Sequence, residues 1–257
     1  MPSEPDLAIP RVVVMGLALQ NLDGAAIADH VLDAALARRK MLVVNANAHL
    51  AVLSQTQTWL RTMFASADIA FCDGAGVQLA CRLLTGRAIA RATPPEWVAS
   101  VMQRLGDRGS VFWLGGEAGV VAKAARAYED RFGVRTVGTH HGFFDATAGS
   151  PETLALVERI NRAAPSILLV TMSMPRQERW LWDNWDRLEP GVAITAGALV
   201  DHAAGRVRRP PGWIADSGFE WLVRLVREPR RLWRRYLLGL PVFGFYLARY
   251  AIVARHR

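Results

Sequence analysis

Lysine and cysteine are nearly missing from this chain: each occurs twice in 257 residues. Cys72 and Cys81 supply neither a disulfide framework nor a ligand cluster, so a reducing compartment is the default. The shortage of lysine beside abundant arginine follows from genomic base composition and by itself points to no function. No two His or Cys residues stand at zinc spacing, and the pairs His140-His141 and Asp201-His202 read as loop or core groups more readily than as ligands. Asp-x-Asp occurs nowhere, which leaves no acidic pair to clamp a divalent cation onto a nucleotide diphosphate. Internal repeats and low-complexity tracts are missing too. Residues 1–11 contain Pro and acidic groups without an apolar run, and do not read as a signal peptide. The stretch Tyr236 to Ala254 approaches bilayer-spanning length, but Gly239, Pro241, Gly244 and Arg249 interrupt it, and a span needs about 20 mostly apolar residues. It reads as an interfacial segment with cationic flanks or as a packed terminal helix.

What is present is charge of one sign in one place. The formal net charge is +8. From Arg206 to Arg257 there are twelve Arg against Asp216, Glu220 and Glu228, a net +9, which leaves the remainder at −1 with 19 basic and 20 acidic residues. Phe219, Trp221, Trp233, Tyr236, Phe243, Phe245, Tyr246 and Tyr250 run between these arginines. Within the segment Arg224, Arg227, Arg231, Arg234 and Arg235 recur at helical intervals and share a stripe. Such a stripe is usually a solvated face, but here too few acids exist to neutralise it. Phosphate-rich partners fit: a membrane surface, nucleic acid, or a diphosphate held by forked guanidinium donors.

Half of the residues are hydrophobic, enough for a sizeable core at this length. Short apolar runs alternate with helix-length segments. Arg11–Gly16, Met41–Asn45, Ile69–Phe71, Ser110–Leu114, Val134–Gly138, Ser166–Val170 and Val192–Thr195 read as strands, the last three as buried ones. Helices are expected over 25–39, from about His49, and over 118–131, 152–163 and 175–187. Continuous β-branched runs separated by helices argue for a mostly parallel sheet covered on both faces. The composition breaks only near Gly205, where the basic tail begins.

Polar and glycine-bearing residues repeatedly follow the strands, and open α/β sheets bind ligands at their carboxyl ends. Asn45 and Asn47 follow the second run. Asp73-Gly74-Ala75-Gly76 follows the third: Asp73 caps the next helix or stands as a base over the crevice. Gly115-Gly116 opens a helix whose N-terminal amides suit a phosphate, or is simply a tight turn. Pro175 suits a first helical turn, which would set Gln177 and Glu178 near the crevice.

In order and spacing these segments resemble the WecG/TagA/CpsF family of bacterial glycosyltransferases, glycosyltransferase family 26, from about residue 11 to residue 240. The resemblance rests on Asn45-Ala46-Asn47, Asp73-Gly74-Ala75-Gly76-Val77, Arg91, Leu114-Gly115-Gly116, His140-His141-Gly142-Phe143-Phe144, Pro175-Arg176-Gln177-Glu178 and Asp201-His202-Ala203-Ala204-Gly205. It closes on Glu220-Trp221, Arg224, Glu228-Pro229-Arg230-Arg231 and Tyr236. It implies a Rossmann-like α/β fold with a flexible N-terminus (1–10), a catalytic domain (11–205) and a basic, aromatic, helical membrane-associating appendage (206–257).

The resemblance further implies inverting, metal-independent transfer of a hexose or N-acetylhexosamine from a UDP-sugar to a polyprenyl-diphosphate-linked saccharide. This would occur at the cytoplasmic face of the bacterial inner membrane, in exopolysaccharide, capsule or wall-polymer synthesis, with no cofactor, no nucleic acid and an oligomer allowed. Asp73 would be the general base. Asn45, Asn47, Arg91, Gly115, Gly116 and Gln177 would bind substrate, and Arg224, Arg231 and Arg234 the diphosphate. Two departures stand near the expected sugar pocket: Asn45 where the family has Thr, and Thr93-Pro94-Pro95-Glu96 where it tends toward Thr-Gly-x-Asp. They leave the donor open between UDP-glucose and UDP-N-acetylmannosamine. The competing reading is a nucleotide- or nucleic-acid-binding module built on the basic tail.

Overall fold

A computed structural model describes residues 9–207, 220–227 and 229–255. The chain opens with an antiparallel hairpin, β1 (Arg11–Val14) and β2 (Leu17–Gln20), closed by Met15 and Gly16, both at positive φ. Two central residues with positive φ match the twist of a tight hairpin. The first apolar run is therefore not a strand of the main sheet, as its β-branched composition suggests, but half of a separate ribbon. Buried Gln20 fastens that ribbon to the body: its side-chain amide donates to Asp68 O (2.7 Å) and accepts from Ala70 N (2.6 Å).

The remaining six strands are β3 (Met41–Ala46), β4 (Ile69–Cys72), β5 (Ser110–Gly115), β6 (Arg135–His140), β7 (Ile167–Thr171) and β8 (Val192–Thr195). They form one parallel sheet in the order β4-β3-β8-β7-β5-β6, giving the Rossmann-like α/β fold. Alternation along each strand divides the core in two. Leu42, Val44, Ala70, Phe112, Leu114, Leu168, Val170 and Ala193 face one layer. It holds α2 (Ala48–Leu53), α3 (Thr58–Ser66), α4 (Ala75–Thr85), α7 (Pro151–Ala163) and α8 (Arg176–Asn184). Met41, Val43, Ile69, Val111, Trp113, Ile167, Leu169 and Ile194 face the other. There lie α1 (Gly24–Leu36), α5 (Pro94–Leu105), α6 (Ala118–Phe132) and α9 (Leu199–Ala203). The run 134–138, expected to be buried, is instead the partly exposed edge strand β6.

The described part of the tail from Glu220 onward is helical: α10 (Glu220–Arg227), α11 (Pro229–Trp233), a π-helical stretch (Arg234–Leu238) and α12 (Gly239–Arg255). One stripe of α12, Phe243, Tyr246, Leu247 and Tyr250, packs onto the α2/α4 layer at i, i+3, i+4 and i+7. The Tyr250 hydroxyl donates to Gln55 Oε1 (3.1 Å). The other stripe, Val242, Phe245 and Ile252, is exposed, as is Leu238 just ahead of the helix. By length and composition Tyr236–Val253 could cross a membrane, yet it packs against the body along one side and stays bare along the other.

Candidate active site at the carboxyl edge of the sheet

At the end of β4, Asp73 extends the β3–β4 pairing by donating its backbone N–H to Ala46 O (2.9 Å). Gly74 is the N-cap of α4, and the Asp73 carboxylate reaches Asn45, whose Nδ2 donates to Asp73 Oδ2 at 2.8 Å. Gly74 is required by close approach: a Cβ there would stand 3.1 Å from Asn47 Cβ and 3.3 Å from its Cα.

Asn45 is fully buried between strands. Its Oδ1 accepts from the Thr195 hydroxyl (2.8 Å), and its backbone N–H donates back to that same oxygen (3.2 Å). Asn47 has a different task. Its Oδ1 caps α2, accepting from His49 N (3.0 Å) and Leu50 N (3.2 Å), while its Nδ2 points at the Met174 sulfur (2.8 Å). One amide thus fixes the carboxylate and the other fixes the turn beside it.

Arg91 lies on the far side of Asp73. It bridges Cys72 in parallel, and Ala92 N donates to Cys72 O (2.9 Å), so the segment adds a short rung outside β4. Two residues later Thr93 leads into α5, with Pro94 at its first turn and the Thr93 hydroxyl donating to Glu96 Oε2 (2.8 Å). Burial pushes the neighbouring Cys72 thiol up to about 12. It stays protonated at neutral pH, which removes it as a nucleophile.

Across the sheet, Gly115 (φ +135°) ends β5 against Thr171, where a Cβ would meet the carbonyl oxygen at 2.4 Å. Gly116 (φ +64°) continues the turn, and α6 starts with no side-chain cap from its N-cap residue Glu117. Gly142 closes over the turn by donating its N–H to Gly116 O (2.8 Å). Beyond it, at the end of β6, the His140 ring meets His141 (centroids 4.6 Å apart) and, edge-on, Phe144 (5.2 Å). Among the described residues no three His, Cys, Asp or Glu side chains gather to hold a metal ion.

Gln177 is completely buried in the first turn of α8. Its Oε1 accepts from Gly197 N (3.2 Å) and its Nε2 donates to Glu178 Oε1 (2.7 Å), tying α8 to the loop after β8. The side chains of Arg224, Arg231 and Arg234 lie outside the described residues. The structure thus brings Asn45, Asn47, Asp73 and Arg91 together at the ends of β3 and β4. Gly115 and Gly116 stand at the end of β5, and Gln177 lies beneath the surface. Sequence reasoning missed Thr195, Met174 and the left-handed Ser173 (φ 68°) beside it. Thr195 closes an apolar run and carries no motif; only its place at a strand end, opposite Asn45, could have flagged it.

The model of one protein family, described as the glycosyl transferase WecG/TagA/CpsF family, matches residues 12–257 of the chain, nearly its whole length.

Proposed function

The chain belongs to the glycosyl transferase WecG/TagA/CpsF family, enzymes of cell-surface polysaccharide synthesis, and we propose that it moves a hexose or N-acetylhexosamine from a UDP-sugar to a polyprenyl-diphosphate-linked saccharide. The departures at Asn45 and at Thr93-Pro94-Pro95-Glu96 leave the donor open between UDP-glucose and UDP-N-acetylmannosamine. The observation that carries this reading is the Asn45–Asp73 hydrogen bond at the carboxyl edge of a parallel sheet.

In the proposed reaction Asp73 takes the proton from the acceptor hydroxyl as its oxygen bonds to the anomeric carbon. The bond to UDP breaks on the opposite face, so the configuration inverts. An ordinary Asp, with a pKa of about 3.9, is a weak base at neutral pH, so its placement against the acceptor hydroxyl carries the step. Asn45 holds the carboxylate, and Asn47 and Arg91 border the sugar. Gly115 and Gly116, packed against Thr171 and Val200, hold the turn before α6, whose first amides would face the leaving diphosphate. Arg224, Arg231 and Arg234 complete its neutralisation with forked donors in place of a metal. Gln177 acts from below, by holding the loop at Gly197.

The exposed stripe of α12, with exposed Arg249 on the same helix, supports peripheral attachment to an anionic membrane at the cytoplasmic face. There the lipid-linked acceptor would meet the strand ends. The test is Asp73→Asn in a UDP-release assay with a short-chain polyprenyl-diphosphate saccharide. Loss of a general base costs at least about 10²-fold, and retention of more than about a tenth of turnover refutes the assignment. Turnover should also survive EDTA; loss reversed by Mg²⁺ or Mn²⁺ refutes metal independence.

A further inference from the structure

We propose that Thr195 is a positioning residue for the base: its hydroxyl locks the Asn45 amide so that only Nδ2 can face Asp73. The inference rests on Asp73 being the base and adds a residue from the far side of β3. The β3–β8 ladder reaches Val43↔Ile194, and at the next step a side chain takes over. The Thr195 oxygen accepts from Asn45 N at 3.2 Å, and its single proton goes to Asn45 Oδ1 at 2.8 Å.

This settles the orientation of the amide. Oδ1 is committed to Thr195, so Nδ2 points to Asp73 Oδ2, 2.8 Å away. Without the hydroxyl, rotating the amide by half a turn would aim Oδ1 at the carboxylate, a lone pair against a negative charge. Thr195 is wholly buried and Asn45 nearly so, and water cannot replace the missing partner at no cost. An N–H donated to a carboxylate favours its ionised form. Thr195, acting through Asn45, therefore keeps Asp73 ionised and aimed.

The experiment compares Thr195→Val, Thr195→Ser, Asn45→Ala and Asp73→Asn in the full-length enzyme by kcat, donor KM and the pH profile of kcat. Thr195→Val should lower kcat roughly 10- to 100-fold with donor KM unchanged, as expected for a misplaced catalytic group. Losing the Asn45 donor makes Asp73 easier to protonate, so the acid limb moves to higher pH, by about one unit. Thr195→Ser, which keeps the hydroxyl, should restore both. In an Asn45→Ala background Thr195→Val should add less than about twofold, because the two act in series. A merely structural role would lower the melting temperature and the active fraction without moving the limb.

An unmoved acid limb with kcat within about twofold of wild type, while Asp73→Asn is inactive, overturns the relay and leaves the base assignment standing. An active Asp73→Asn overturns the base assignment instead. Should Thr195→Val not fold, Thr195→Cys carries the test with a weak S–H donor of similar size. A smaller upward shift of the limb supports the relay, and no shift overturns it.

Discussion

Replacing Phe243 with Ala should release α12 from the body while leaving the sheet intact. The ring is 6 % exposed and packs over Gly76, at the start of α4, where a Cβ would lie 3.7 Å from it. Tyr246, Leu247 and Tyr250 share its stripe but are only half-buried, so Phe243 supplies the largest part of the docking. Burying such a ring contributes about 3 kcal/mol, close to a hundredfold change in the docked-to-released ratio. Amide hydrogen exchange reads that ratio directly, since helix amides exchange through local opening. Exchange across 239–255 should accelerate about a hundredfold in Phe243→Ala, while amides of β3, β7 and β8 keep wild-type protection. Turnover should fall with it if the tail arginines act in the reaction as proposed. Wild-type exchange over 239–255 in the folded variant would refute the reasoning, since the helix would then be held by something other than this ring. Equal acceleration throughout the sheet would refute it differently, by making the tail and body one cooperative unit.

Three further outcomes follow from the same structure. Gly115→Ala sets a Cβ 2.4 Å from the Thr171 carbonyl oxygen at φ +135° and should cost about 3 kcal/mol or more, read as a lower urea midpoint; an unchanged midpoint would contradict the close approach. Changing both Phe245 and Ile252 to Glu should reduce sedimentation with anionic liposomes at least about tenfold while exchange protection of the helix stays normal; undiminished binding would exclude that stripe from the membrane. Burial holds the His140 imidazole below its ordinary value, so on acidification the unfolded chain takes up that proton first and stability falls below about pH 6.5 until the folded imidazole also protonates. His140→Gln should therefore flatten the decline in urea midpoint between about pH 7 and pH 5, and an unaltered slope would contradict the assignment.

How much of this was legible in the sequence depended on the range of the interaction that fixes each part. Apolar runs of four to six residues bounded by helices announced β3, β5, β7 and β8, because a strand buried on both faces is mostly apolar. The same rule misled at Arg11–Gly16, where the turn chemistry of Met15 and Gly16 decides and the ribbon needs only one apolar side. It misled again at 134–138, because position in the sheet is set by crossovers, which no local pattern records. The glycines of the site were readable: Gly74 and Gly115 each sit where a Cβ would strike a neighbouring strand end. Asp73 was readable only as one of two alternatives, a cap or a base. The hydrogen bond its carboxylate accepts comes from a residue 28 positions earlier, itself held by a hydroxyl 150 positions after that one, and no local pattern records either. Gln177 shows the converse. Its motif placed it near the crevice, but its amide is spent on Gly197 and Glu178, so a polar residue after a strand can serve the loop beneath a site. The chain's ordering of β3, β8 and β4 at the sheet edge is thus what turns three unremarkable polar residues into one directed carboxylate. A variant that kept Asn45, Asp73 and Thr195 but shifted β8 by one residue would put Thr195 on the opposite face and undo the relay without changing a single motif.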